Sequence, residues 1–216
     1  MIIKKYFHSC ILIQENEKRI LFDPGDFSFI EKKIVPEDIG PVDVIIITHS
    51  HADHYFPEAI QTFLNLAPAK IIANKELANL MKQDGIEPVS VADGETLEYE
   101  GFKIQAYSAN HEALPVDVPQ NTAYLINDTF LHPGDSFSVD VSVKCKVLAL
   151  PVCAPWATRL SAVEFAKKLM PKTVIPIHDG YLKEFMLESE YKSSGEAIGR
   201  YAIEFHPLRL HQVFEY

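Results

Sequence analysis

Long hydrophobic runs are missing from this sequence, and so is any cluster of basic residues. The longest apolar stretches have the length of a β-strand, so we predict no membrane-spanning helix and no membrane partner. The opening Met-Ile-Ile-Lys-Lys-Tyr-Phe lacks the apolar run of a secretory signal. The formal net charge is −10, and no Lys/Arg stripe is present to bind a phosphate backbone. The composition therefore disfavours nucleic acid as a partner.

Cysteine is scarce as well. The three cysteines, Cys10, Cys145 and Cys153, are an odd number at no metal-ligand spacing, which disfavours a disulfide framework and a thiolate metal site. We expect buried free thiols in a reducing, cytoplasmic setting. The 216 residues with 47% hydrophobic content suit one domain, residues 1–216, either as a monomer or as a homo-oligomer.

Four ligand-type side chains are concentrated in one short segment. His49, His51, Asp53 and His54 directly follow Val42–Ile47, a β-branched run typical of a strand buried on both faces. Imidazole and carboxylate are preferred ligands of borderline and hard divalent metals. A polar loop that caps a helix is the alternative, but the density of donors favours a metal site on the turn after the strand.

Three further candidate donors follow apolar segments later in the chain. They are His111 in Ser-Ala-Asn-His, Asp135 in His-Pro-Gly-Asp-Ser and His178 in Val-Ile-Pro-Ile-His-Asp. Taken singly, each has an ordinary interpretation: a loop histidine, an Asx-turn aspartate and a polar residue at a strand end. Their order along the chain favours a shared role with the first segment.

The pattern His-x-His-x-Asp-His after a strand, followed by these three residues in this order, resembles the metallo-β-lactamase-fold hydrolases. The resemblance implies an α/β fold, an αββα sandwich of two mixed β-sheets flanked by helices. It also implies two divalent metal ions, with Zn favoured and Mn or Fe as alternatives. Implied ligands are His49, His51 and His111 for the first ion, Asp53, His54 and His178 for the second, and Asp135 as the bridge. Asp53 is the implied catalytic residue, because its second oxygen would orient the attacking hydroxide.

A second group of residues carries weaker predictions. The segments around His8, Asp23 and His132 resemble those of the branch that contains the L-ascorbate-6-phosphate lactonases. These three either support metal ligands or contact substrate, or they are buried, hydrogen-bonded strand-end residues. Trp156 either lines the pocket or anchors the core. Arg159 either binds an anionic substrate or begins a surface helix, and we expect His206 and His211 to be surface or packing residues.

The resemblance narrows the reaction. The chain has no secretory signal or motif cysteine as in the β-lactamases, too few residues after His178 for a glyoxalase-type helical domain, and no basic RNA-binding arm. A minimal hydrolase remains, in which metal-bound hydroxide attacks a small-molecule ester, lactone or phosphodiester, with anionic substrates favoured. The alternative is a non-catalytic metal-binding or sensor protein with the same fold.

Hydrophobic periodicity predicts strands interleaved with helices. A loop of nearly twenty residues between Gly25 and Val42 carries Phe27 and Phe29, and we predict it to be a flap over a cleft. Predicted helices are Pro57–Leu66, Lys75–Gln83 and Ser161–Leu169. Predicted strands are Ile2–Phe7, Ile11–Gln14, Arg19–Phe22, Val42–Ile47, Ala69–Ala73, Leu97–Tyr99, Phe102–Tyr107, Thr122–Ile126, Thr129–Leu131, Lys146–Leu150, Thr173–Ile177, Ala202–Phe205 and Leu210–Phe214.

Overall fold

The computed structural model describes all 216 residues and contains two seven-stranded β-sheets. The chain divides into two compact units, each of which contains one sheet. Unit 1 comprises Met1–Asp93 with Arg209–Tyr216, and unit 2 comprises Gly94–Leu208. Both sheets are mixed and are accompanied by helices, which confirms the predicted α/β class. None of the helices combines the length and apolar character needed to cross a membrane.

The sheet of unit 1 has the strand order β14-β1-β2-β3-β4-β5-β6. Strands β14, β1, β2 and β3 pair antiparallel, whereas β3, β4, β5 and β6 pair parallel. The strands are β1 Ile2–Lys5, β2 Ile11–Glu15, β3 Lys18–Phe22, β4 Val44–Ile47, β5 Lys70–Asn74, β6 Val89–Val91 and β14 Phe214–Glu215. The helices of this unit are α1 Pro36–Ile39, α2 Pro57–Leu66 and α3 Lys75–Gln83, with a 3₁₀ helix at Asp26–Ser28.

The sheet of unit 2 has the strand order β13-β12-β11-β10-β9-β8-β7 and repeats this pattern of three parallel and three antiparallel pairs. The strands are β7 Thr96–Tyr99, β8 Phe102–Ser108, β9 Thr122–Ile126, β10 Phe130–His132, β11 Val147–Pro151, β12 Thr173–Ile177 and β13 Glu204–Phe205. The helices are α4 Arg159–Leu169 and α5 Glu184–Gly199.

Strand direction places the polar strand ends of each unit along one edge of its sheet. In unit 1, β1, β3, β4 and β5 run in the same direction because β2 is antiparallel to both of its neighbours. In unit 2, β8, β10, β11 and β12 share a direction for the same reason. The carboxyl ends of parallel strands are the usual place for ligand sites in α/β sheets.

Burial explains why β4 is so strongly apolar. All four of its residues are fully buried, as the β-branched run Val42–Ile47 predicts. Each such side chain contributes about 1.5–3 kcal/mol when it is removed from water. Helix α2 covers the sheet with Ala59, Ile60 and Phe63, which are buried in the same hydrophobic cluster as Ile45 and Ile47. The turn after β4 therefore starts from a rigid base.

Several predicted features need correction. The segment between Gly25 and Val42 contains a 3₁₀ helix and α1, so it is not an unstructured loop. Phe29 is buried in the core of unit 1 and stacks on Phe56 at 6.5 Å between ring centroids, which is incompatible with a mobile flap tip. The sixteen-residue helix α5 and the short strand β6 were not predicted. The single-domain organisation stays a prediction.

Candidate metal centre

The turn after β4 brings the unit 1 donors together. Nε2 of His49 and Nδ1 of His51 are 3.2 Å apart. The ligand-type atoms of His8, Asp53 and His54 all lie within 4.8 Å of one another. His49, His54 and His8 are buried, while His51 and Asp53 are partly exposed. The structure therefore groups the four predicted donors of this segment and adds His8 to them.

Asp23 fixes the orientation of two of these imidazoles. It follows β3 and is fully buried, and its carboxylate accepts hydrogen bonds from Thr48 N at 2.8 Å and Thr48 Oγ1 at 2.8 Å. His54 Nδ1 lies 2.7 Å from Asp23 Oδ2 and donates its hydrogen to that oxygen. Thr48 Oγ1, already a donor to Asp23, accepts from His49 Nδ1 at 3.0 Å. Both rings therefore carry their proton on Nδ1, which makes Nε2 the candidate ligand atom.

The two histidine donors of unit 2 are held in the same Nδ1–H tautomer by backbone carbonyls. His111 Nδ1 donates to Glu112 O, and His178 Nδ1 donates to Cys153 O, each at 2.7 Å. Their Nε2 atoms lie 3.6 Å and 3.1 Å from Oδ2 of Asp135. Asp135 is buried on the turn after β10. Unit 2 therefore presents two imidazole nitrogens to one carboxylate.

Three residues of this set have strained backbone conformations, among twelve non-glycine residues with positive φ in the chain. His8, Asp23 and His178 have φ angles of 55°, 42° and 60°, a left-handed region that non-glycine residues rarely occupy. Each such residue costs about 1–3 kcal/mol unless its surroundings enforce it. All three are buried, so the strain is retained where it sets the direction of a donor or of its acceptor.

The spacing and chemistry of the donors fit divalent metal ions. Two ligand atoms bound to one ion at about 2.1 Å, with angles between tetrahedral and octahedral, lie about 3.0–3.4 Å apart. The His49–His51 distance of 3.2 Å and the His178–Asp135 distance of 3.1 Å match this spacing. The set contains nitrogen and oxygen donors without sulfur, which suits Zn, Mn and Fe alike.

Comparison with known proteins agrees with this geometry. A family model described as the beta-lactamase superfamily domain matches residues 2–178. The chain belongs to this superfamily. It is 31% identical to Protein Rv0786c of Mycobacterium tuberculosis over 82% of the chain and 84% of that protein. It is 30% identical to the UPF0173 metal-dependent hydrolase NEQ378 of Nanoarchaeum equitans over 82% of the chain and 83% of that protein. The chain therefore belongs to a family of metal-dependent hydrolases in the metallo-β-lactamase superfamily.

A solved structure shows the same fold. Igni18, described as a novel metallo hydrolase from Ignicoccus hospitalis, superposes with a TM-score of 0.78 at 19% identity, covering 100% of this chain and 98% of the other. The predicted metallo-β-lactamase fold is confirmed. The lactonase-like branch is not established by these comparisons.

Asn121 is a site residue of the hydrolase that sequence reasoning missed. It is buried immediately before β9, and its Nδ2 group donates to Ala109 O at 2.8 Å and Pro133 O at 2.9 Å. Its Oδ1 accepts from Asp135 N at 3.1 Å. One amide thus joins the loop that carries His111 to the turn that carries Asp135. An asparagine directly before a strand was the only signal in the sequence.

The structure distinguishes between the two interpretations of several weaker candidates. Asp23 and His8 contact donor side chains, since His8 Nε2 lies 3.0 Å from Asp53 Oδ2. His132 is fully buried and accepts from Gly134 N at 3.2 Å, so it supports the turn before Asp135.

Trp156 and Arg159 have different surroundings. The Trp156 ring is partly exposed and contacts the rings of His111 and His178, with centroids 6.2 Å and 5.5 Å away. This favours a position beside the donors over a core anchor. Arg159 forms a two-point ion pair with Glu190, at 3.1 Å and 2.7 Å, and so links α4 to α5. This pairing favours the structural interpretation of Arg159.

Burial shapes the electrostatics around the unit 1 donors. It raises the pKa of Asp26, and the neighbouring Asp53 carboxylate contributes in the same direction. Asp26 N donates to Ala52 O at 2.8 Å, directly before Asp53 in the chain. The Asp26 and Asp53 carboxylates therefore repel each other, and a divalent ion beside them would relieve that repulsion.

Proposed function

We propose that the donor sets of the two units bind two divalent metal ions and that the protein hydrolyses a small-molecule ester, lactone or phosphodiester. Seven residues are the proposed ligands: His49, His51, Asp53, His54, His111, Asp135 and His178. When bound, the ions supply a nucleophilic hydroxide at neutral pH and polarise the oxygen that gains charge. Membership of a metal-dependent hydrolase family supports this reaction class.

The observation that carries the proposal is that four imidazoles share the Nδ1–H tautomer. His49, His54, His111 and His178 each donate Nδ1–H to an oxygen acceptor, which leaves Nε2 as the ligand atom. Metal-bound histidines almost always have such a partner on the second nitrogen, because it fixes the tautomer and the ring direction.

We assign the catalytic role to Asp53. It is partly exposed, in contrast to the fully buried Asp23, and so retains access to solvent and substrate. One carboxylate oxygen can bind a metal while the second orients the attacking oxygen. Asp135 would be the bridging carboxylate, because Oδ2 is the oxygen that His111 and His178 both approach.

For the substrate we favour small lactones and esters over polymers, as in the lactonase-like branch. The net charge of −10 and the lack of a Lys/Arg cluster in the sequence disfavour a nucleic-acid backbone as substrate. Trp156, beside His111 and His178, supplies an apolar surface for an organic substrate. A preference for anionic substrates loses support from Arg159, whose charge is paired with Glu190. Zinc is the favoured metal, and three free thiols suit a reducing, cytoplasmic location.

Metal content and hydrolysis test the proposal together. Elemental analysis of reconstituted protein should give up to two ions per chain, and chromogenic ester, lactone and phosphodiester panels should reveal turnover. Asp53→Ala should lower kcat by at least about a hundredfold. If His51→Ala and Asp135→Ala both leave the metal content unchanged, the ligand assignment is wrong. Full metal occupancy without turnover on any substrate would favour the non-catalytic sensor.

A further inference from the structure

We propose that His8 is a positioning residue for Asp53. Nε2–H of His8 donates to Oδ2 of Asp53 at 3.0 Å, and this hydrogen bond sets the direction in which the carboxylate faces the other donors. The inference rests on the proposed function, since it assigns a role toward the same metal centre. It adds a residue from the first turn of the chain that lies outside the seven proposed ligands.

The turn that presents His8 is built for this contact. His8 lies between β1 and β2, where Cys10 N donates to Phe7 O at 3.0 Å and Tyr6 N donates to Cys10 O at 2.9 Å. Within this closed turn His8 adopts a φ of 55°, a conformation that glycine or asparagine adopts more readily. Its side chain is fully buried, so local turn preference alone does not explain the choice of histidine.

A short bracket, residues Gly25–Ser28, fixes the Asp53 side of the contact. Gly25 packs so tightly that an added Cβ would lie 2.0 Å from the carbonyl carbon and oxygen of Asp53. Asp26 N donates to Ala52 O at 2.8 Å. Only glycine fits at the first position, and the bracket therefore holds the backbone of the Asp53 turn directly.

The same bracket fixes the His8 side. Ser28 Oγ donates to Phe7 O at 3.2 Å. The Phe27 ring packs against the imidazole of His8, with centroids 5.0 Å apart and planes inclined by 57°. The imidazole also contacts the ring of His54, edge on, with centroids 5.7 Å apart. Because one segment contacts both turns, the His8–Asp53 distance is set by packing as well as by the hydrogen bond.

Three variants of His8 distinguish a positioning role, which needs the N–H donor, from a role in filling space. His8→Gln keeps an N–H donor at a reach close to that of Nε2, whereas His8→Asn places its donor one bond shorter. Asn suits the left-handed φ better than Gln does, so His8→Asn should fold at least as well. His8→Met fills the volume without a donor. Circular dichroism on heating should confirm that each variant folds before metal is added.

The readouts are Zn²⁺ affinity by chelator competition, Co²⁺ absorption spectra, ion content, and kcat and KM on a chromogenic substrate. His8→Asn and His8→Met should still bind the parent number of ions at saturation. Their affinity and kcat should fall by about 10–100-fold, with an altered Co²⁺ spectrum and little change in KM. His8→Gln should recover most of this loss.

Two results overturn the assignment. Loss of one whole ion per chain at saturating metal would make His8 a ligand, and parent-like affinity and spectra in His8→Met would make it a space-filling residue. Failure of the proposed function is recognised separately, because the unmodified protein would then bind no metal or turn over no substrate.

Discussion

Replacing Asp23 by asparagine is the sharpest perturbation of the metal centre that preserves shape. Thr48 N donates to Oδ1 of Asp23, so the amide oxygen of the asparagine should stay there and its NH₂ should replace Oδ2. That NH₂ would then face Thr48 Oγ1 and His54 Nδ1, both of which donate to Asp23 in the parent. His54 must accept instead, which moves its proton to Nε2, the nitrogen proposed to bind metal.

The expected magnitudes separate metal binding from stability. Loss of a correctly oriented ligand should weaken metal affinity by about 10–100-fold, which corresponds to about 1.4–2.7 kcal/mol. All three hydrogen bonds to Asp23 lose a charged acceptor, at a cost of about 1 kcal/mol each, and removal of a buried charge offsets much of this loss. We therefore expect the free energy of unfolding of the metal-free protein to fall by only about 1–2 kcal/mol.

Two assays address the prediction directly. Chelator competition measures the affinity, and ¹⁵N chemical shifts of the imidazoles in metal-free protein report which nitrogen carries the proton. Asp43→Asn is the matched control, because Asp43 accepts from Lys18 Nζ and Arg19 N, each at 2.9 Å, just before the amino end of β4. Parent affinity in Asp23→Asn, with His54 still protonated on Nδ1, would refute the reasoning.

Three further predictions concern unit 2 and the thiols. Asn121→Ala should lower the free energy of unfolding by about 2–4 kcal/mol, measured by urea denaturation, because three buried backbone groups lose their partner. Arg159→Ala should leave unchanged the ratio of kcat/KM for matched anionic and neutral lactones. It should cost only about 1 kcal/mol, because the Arg159 side chain is 46% exposed and water screens its charge. At pH 8 a thiol reagent should modify only Cys153 in native protein but all three cysteines after unfolding. The reason is that Cys10 and Cys145 are buried, which raises the pKa of Cys145 to about 12 and keeps the Cys10 thiol protonated.

The donors were predictable because their positions are determined locally. Each follows an apolar strand, and the strand and its end are read from adjacent residues. The acceptors were not predictable in the same way. Thr48 and Asp23 are 25 residues apart, and Asn121 and Asp135 are 14 apart, so their contacts depend on how strands align in the sheet. Asp23 was recognised through a family resemblance and Asn121 was missed.

Helix α5 and Phe29 were misjudged for physical reasons that the structure makes clear. The buried positions of α5 are Tyr191, Ser194 and Ile198, which have helical spacing. Because the middle position is a serine, the sequence does not show a continuous apolar pattern there. Gly195 lowers helix propensity but allows Phe205 to approach, since an added Cβ would lie 3.2 Å from that ring. Phe29 sits in a segment without periodicity, so only the folded core reveals that it is buried.

The two units fix the Nδ1–H tautomer of their histidines with different hydrogen-bond acceptors. This difference predicts which substitutions should weaken metal binding in each unit. In unit 1 both tautomers depend on one side chain, because Asp23 binds His54 directly and His49 through Thr48. In unit 2 the acceptors are the backbone carbonyls of Glu112 and Cys153, which a side-chain substitution does not remove. A single substitution at Asp23 should therefore disturb both imidazoles of unit 1. In unit 2 the position of these carbonyls depends on the conformation of the loops. Substitution of a residue that holds a loop, such as Asn121, should therefore disturb the imidazoles of unit 2 more than substitution of Glu112 or Cys153.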